Sequence, residues 1–153
     1  MTRMMKTLLL AQALCWTMPA WAGNDPCAEL SRYFARGVEA MAEAKVPQHD
    51  EHEGVLVTSQ LTIDAREVAE LRSQLLAAGK PLVLGALDPA KTIALLRRAV
   101  EPPASGAGRT VVFVGPAADW PPAQAALRQL GVRSIFADIA IAPRDAAPLD
   151  CRW

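Results

Sequence analysis

The sequence predicts one α/β domain built on a mainly parallel, four-stranded sheet in the order α-βαβαβαβ. Three observations carry that prediction. Short apolar runs recur along the chain, at Val55–Thr58, Pro81–Gly85, Thr110–Val114 and Ser134–Ile141. Between them lie segments whose apolar residues return at helical spacing, and capping or stop residues sit at the joints. A strand that is apolar along its whole length is covered on both faces, which is the condition of a parallel sheet with helical crossovers.

The first helix is expected from about Pro26 to Lys45. Asp25 precedes it as a cap, and Pro26 occupies the first helical position, where the missing N–H costs nothing. Leu30, Tyr33, Phe34, Val38 and Met41 form its apolar stripe, and Pro47 stops it. Gln48 to Gly54 then reads as a polar connector. Asp64 and Glu67 resemble a capping box opening a second helix. Val68, Leu71, Leu75 and Ala78 share one face of that helix, and Gly79 ends it. Asp88-Pro89 caps and starts a third helix with Ile93, Leu96 and Val100 facing inward. Pro102 to Gly108 forms a loop, and the last helix follows Asp119, runs through Ala123 to Leu130 and ends at Gly131. The layers expected of such a chain are those of a thioredoxin-like or Rossmann-like three-layer arrangement, with ligands placed at the carboxyl ends of the strands.

Both ends of the chain bear on its location. Residues 1–22 read as a cleavable signal peptide: basic Arg3 and Lys6, an apolar stretch from Leu8 to Trp16, Pro19, then Ala20-Trp21-Ala22 as a small-residue cleavage site. The apolar stretch is too short to span a bilayer, which takes about 20 residues. The organisation expected is a signal at 1–22, the first helix and polar connector at 23–53, and the α/β domain at 54–153. The expected location is the periplasm. Without Arg3 and Lys6 the 16 basic residues fall to 14 against 16 acidic ones, a formal charge of −2. A near-neutral chain gives no electrostatic reason to expect nucleic acid or an anionic membrane as partner, and no stable membrane insertion is expected after signal cleavage. Cys15 leaves with the signal, so Cys27 and Cys151 remain, and in an exported chain they are expected to form a structural disulfide closing the domain. A catalytic pair would ordinarily sit as Cys-x-x-Cys at a helix N-terminus.

The motifs that resemble chemistry have structural explanations. Gly85 to Thr92 matches a phosphate-binding loop except that Ala90 stands where the second glycine should be, and Pro89 removes an amide from the cradle. His49, His52 and Glu53 would share a face if their segment were helical and could then hold a divalent metal. Ser59 follows a strand, but no G-x-S-x-G elbow surrounds it. Asp64, Asp88 and Asp119 are each accounted for as helix caps. No catalytic residue and no cofactor are assigned. Trp120, in a Pro-rich turn, and Trp153, the last residue, are the candidate anchors for a protein partner.

Two stretches, Gly54-Val55-Leu56-Val57-Thr58-Ser59-Gln60 and Ala78-Gly79-Lys80-Pro81-Leu82-Val83-Leu84-Gly85-Ala86-Leu87, resemble the pilin-assembly proteins of F-type conjugative transfer systems (the TrbC group). Leu130-Gly131-Val132 before the last strand is similar as well. The resemblance implies an exported protein of thioredoxin-related architecture that needs no redox pair, and it puts no active site on any residue. The function expected is therefore that of a non-catalytic exported accessory protein, binding an envelope protein in a conjugation or secretion apparatus. The alternatives are a periplasmic small-ligand or metal-binding domain and a degenerate thioredoxin-like redox protein.

Overall fold

The computed structural model describes residues 26–47, 53–105 and 108–145. The chain folds as α1 (Pro26–Glu43), β1 (Glu53–Val57), α2 (Ala65–Leu76), β2 (Leu82–Ala86), α3 (Pro89–Ala99), β3 (Thr110–Gly115), a 3-10 turn (Ala117–Asp119), α4 (Trp120–Gln129) and β4 (Arg133–Asp138). All four strands are parallel and lie in chain order, β1-β2-β3-β4. The α/β class, the parallel four-stranded sheet and the α-βαβαβαβ order are those the sequence predicts.

Sequential order has a direct geometric result. Successive β-α-β crossovers share one hand, so α2, α3 and α4 stack on the same face of the sheet. The opposite face is left to α1 alone, which packs on β2, β3 and β4. Alternation along each strand then divides the interior in two. Val55, Val57, Leu82, Leu84, Val111 and Phe113 point toward the three crossover helices. Leu56, Val83, Val112, Val114 and Ala137 point toward Leu30, Tyr33, Phe34 and Met41 of α1. Gly37 lets α1 sit close to the sheet, because a Cβ there would lie 2.6 Å from a Val83 methyl.

Several boundaries differ from the sequence reading, each for a local reason. Glu53 belongs to β1 rather than to the connector, paired with Leu82 across the sheet. Helix α2 ends before extended Ala77, leaving Ala78 exposed and Gly79 outside its last turn. Strand β4 stops at Asp138 instead of continuing to Ile141. There the Asp138 carboxylate accepts from the Ala140 N–H and its carbonyl from the Ile141 N–H, which turns the chain away from the sheet. Asp64 and Asp88 cap α2 and α3 by accepting from the N–H of Glu67 and Lys91. Asp119 makes no such bond: it lies in the right-handed helical region because the preceding 3-10 turn runs straight into α4.

Candidate functional site

The carboxyl ends of the strands are closed largely by their own hydrogen bonds. The N–H of Asp88 donates to the Val57 carbonyl, that of Leu61 to Thr58, that of Asp119 to Pro116 and that of Ile139 to Gly115. Lys91 Nζ donates to the Ser59 carbonyl. The Thr92 hydroxyl, fully buried, turns back on the Asp88 carbonyl at 2.7 Å. Gly85 lies inside β2, where a Cβ would stand 2.3 Å from a Leu56 methyl. The stretch that resembles a phosphate loop is thus occupied in packing and in starting α3, with its lysine and threonine both committed to the backbone.

Glu53, one of the candidate metal ligands, is engaged at the opposite end of the sheet. Its carboxylate pairs with Arg109, which is 2% exposed at the entry to β3. Arg109 Nη1 also donates to the Gln74 carbonyl at 2.6 Å, while its Nε is buried without a hydrogen bond. A guanidinium this desolvated needs its carboxylate, so Glu53 has a structural use. His49 and His52 lie outside the described residues, as do Cys151 and Trp153. Among the described residues, no group of three His, Cys, Asp or Glu side chains is placed to hold a metal ion. Cys27, in the first turn of α1, is disulfide-bonded.

Trp120 occupies a different kind of environment. As the first residue of α4 it lies over the sheet, stacked on Phe136 of β4 with ring centroids 5.4 Å apart and planes 21° apart. It also meets the buried ring of Phe113 at 6.1 Å. Geometry of this kind suits aromatic pairs. Phe113 and Phe136 face each other in the β3–β4 register, so α4 sets its indole across two neighbouring strands. Trp120 and Phe136 are only partly buried, and so is Ile135 on the other face of β4. Just beyond the strand, Ile141 is 55% exposed, the one large apolar side chain so open among the described residues.

The two outer strands therefore differ. In β1, Val55, Leu56 and Val57 are buried almost completely. In β4, the large apolar side chains remain half-covered, and β3 is its one hydrogen-bonded neighbour among the described residues. Sequence reasoning singled out Trp120 and missed Phe136, Ile135 and Ile141, which read as ordinary members of an apolar run. No local signal separates them, since β1 is an outer strand as well and its apolar side chains are buried.

On the α1 face, Arg32 Nη2 and Arg36 Nε donate to the Ile139 and Asp138 carbonyls, fixing the turn after β4. Arg36 lies within 4 Å of Glu39 and Glu43. Burial raises the Tyr33 phenol above its ordinary value, with neighbouring Glu29 adding to the effect. No helix among the described residues is long and apolar enough to cross a membrane. No family model matches the chain, and neither a curated protein nor a solved structure matches it.

Proposed function

We propose that this protein is a non-catalytic accessory protein, exported to the periplasm through a cleavable signal at residues 1–22, that binds another protein in a cell-envelope assembly of the conjugation or secretion class. The observation that carries the reading is the contrast between the sheet edges. One edge hides its apolar side chains, and the other presents Ile135, Phe136, Trp120 and Ile141 only partly covered. Partly exposed aromatic anchors beside an outer strand are the surface from which protein partners draw most of their binding energy.

A Cys27–Cys151 disulfide is part of this proposal, and chain geometry supports it. After β4 the backbone N–H groups of Arg144 and Asp145 both donate to Glu39 Oε1, which returns the chain to α1. Cys27 lies twelve residues before Glu39 on the same helix, about 18 Å away at 1.5 Å per residue. The six residues from Asp145 to Cys151 reach roughly 20 Å when extended.

The test is a photo-crosslinking amino acid placed at Ile141 in the full chain, expressed in its own envelope. Reproducible capture of one envelope protein, lost when Phe136 is replaced by Ser in a variant that still folds, is the expected outcome. Absence of any specific protein adduct at Ile141 would sink the proposal.

A further inference from the structure

The two helical layers carry different charge. Neither α3 nor α4 contains an acidic residue, while between them they hold Lys91, Arg97, Arg98 and Arg128. Helix α1 has the reverse balance, with Glu29, Glu39 and Glu43 against Arg32 and Arg36. The whole chain is formally neutral, so the excess is local.

Three of the four cations on α3 and α4, the arginines, are gathered at one end, while Lys91 lies in the first turn of α3. Arg97 and Arg98 lie in the last turn of α3, and Arg128 in the last turn of α4. Both helices cross from the carboxyl end of one strand to the start of the next, so their last turns lie toward the amino-terminal ends of the strands. The helices pack on each other, and all three guanidinium groups belong to exposed residues. Arg98 donates to the Ile63 carbonyl. Among the described residues, the guanidinium groups of Arg97 and Arg128 meet no hydrogen-bond or ion-pair partner. Glu101, just past α3, is the acidic residue nearest in sequence to Arg97 and Arg98, while Asp88 and Asp119 lie at the opposite ends of the helices. Favourable interaction with helix dipoles explains a cation in a last turn, but not the absence of every acidic group along both helices.

We infer that the paired last turns of α3 and α4 form a second docking surface, and that it receives an acidic face of the protein partner. This rests on the partner-binding reading above. The choice of arginine supports a protein carboxylate as the occupant, because the planar guanidinium forms paired hydrogen bonds to carboxylates.

The experiment compares two photo-crosslinking positions in the full chain, Gln129 beside Arg128 and Ile141 beyond β4. The expected result is an adduct at Gln129 whose partner peptide is rich in Asp and Glu. Its yield should fall at least tenfold in the Arg97→Glu/Arg128→Glu variant and fall with added salt. The Ile141 adduct reports whether that exposed double variant still folds and binds. An Ile141 adduct without one at Gln129 would overturn the second surface and leave the functional proposal standing. Absence of both adducts would overturn both. Adducts from Gln129 to lipid or to a second copy of this chain, or a yield indifferent to the charge reversal, would also overturn the inference.

Discussion

Glu53 opens β1 and Arg109 immediately precedes β3, strands that are not neighbours because β2 lies between them. Their pairing shows how a residue far along the chain can decide the role of another. Within its own segment Glu53 follows two histidines and an aspartate and looks like part of a ligand set; in three dimensions it neutralises a buried guanidinium. Nothing in local spacing reveals that, because the pair forms across a sheet whose register is fixed elsewhere. Glu53 is 41% exposed, so water shares in holding the pair together. Glu53→Ala should destabilise the domain by about 1–3 kcal/mol by leaving Arg109 uncompensated. Adding Arg109→Met should recover much of the loss, since an apolar side chain of similar length needs no partner. Urea denaturation of the single and double variants checks both expectations.

At the scale of the element, the sequence was most legible where a side chain acts on its own segment. The α3 stripe is buried as its spacing predicts, as is that of α1 apart from half-buried Val38, and Asp64 and Asp88 bond to the amides that a cap should meet. Asp119 has the same residue type before the same kind of helix and does not cap, because the backbone had already begun to coil at Ala117. Asp88→Ala should therefore cost about 1 kcal/mol by thermal or urea unfolding, and Asp119→Ala much less. Acid titration separates the Asp64 cap by its sign. The bond from the Glu67 N–H holds the Asp64 carboxyl below its ordinary value in the native state. Its contribution is complete above the unfolded value, near 4, and is lost as pH falls through the native value. Asp64→Asn, which keeps a capping oxygen but cannot titrate, should flatten that part of the acid limb when unfolding is followed from pH 5 to pH 2.5. The β4 edge was less legible, since an apolar run does not say which strand has a neighbour on only one side.

For the whole molecule, the class of fold followed from the alternation of apolar runs and helical stripes, while the unequal layers followed from strand order, which composition does not encode. One helix covers a face that three helices cover on the other side. Under the proposed Cys27–Cys151 pairing, the thinner layer is held at both chain ends. A loop of that length is worth about 4–5 kcal/mol in the chain-entropy model. Reduction should lower the melting temperature, and the oxidised protein, cleaved after Ala22 as proposed, should show no free thiol. Free thiols, or a melt indifferent to reductant, would return a redox role to these cysteines.

Strand order also sets the sequence in which the domain can be assembled as the chain is delivered from its N-terminus. Each β-α-β unit adds beside the one before it, so the sheet and its three-helix face can grow by short-range steps. Helix α1 emerges first, yet the strands it packs on most closely are β2, β3 and β4, the last to arrive. Helix α1 therefore waits for strands made after it, and its seat is complete only once β4 is paired. Until then, part of that face of the growing sheet stays open to whatever handles the chain on its way. A hydrogen-exchange pulse during refolding should show α1 amides gaining protection after those of β1 and β2.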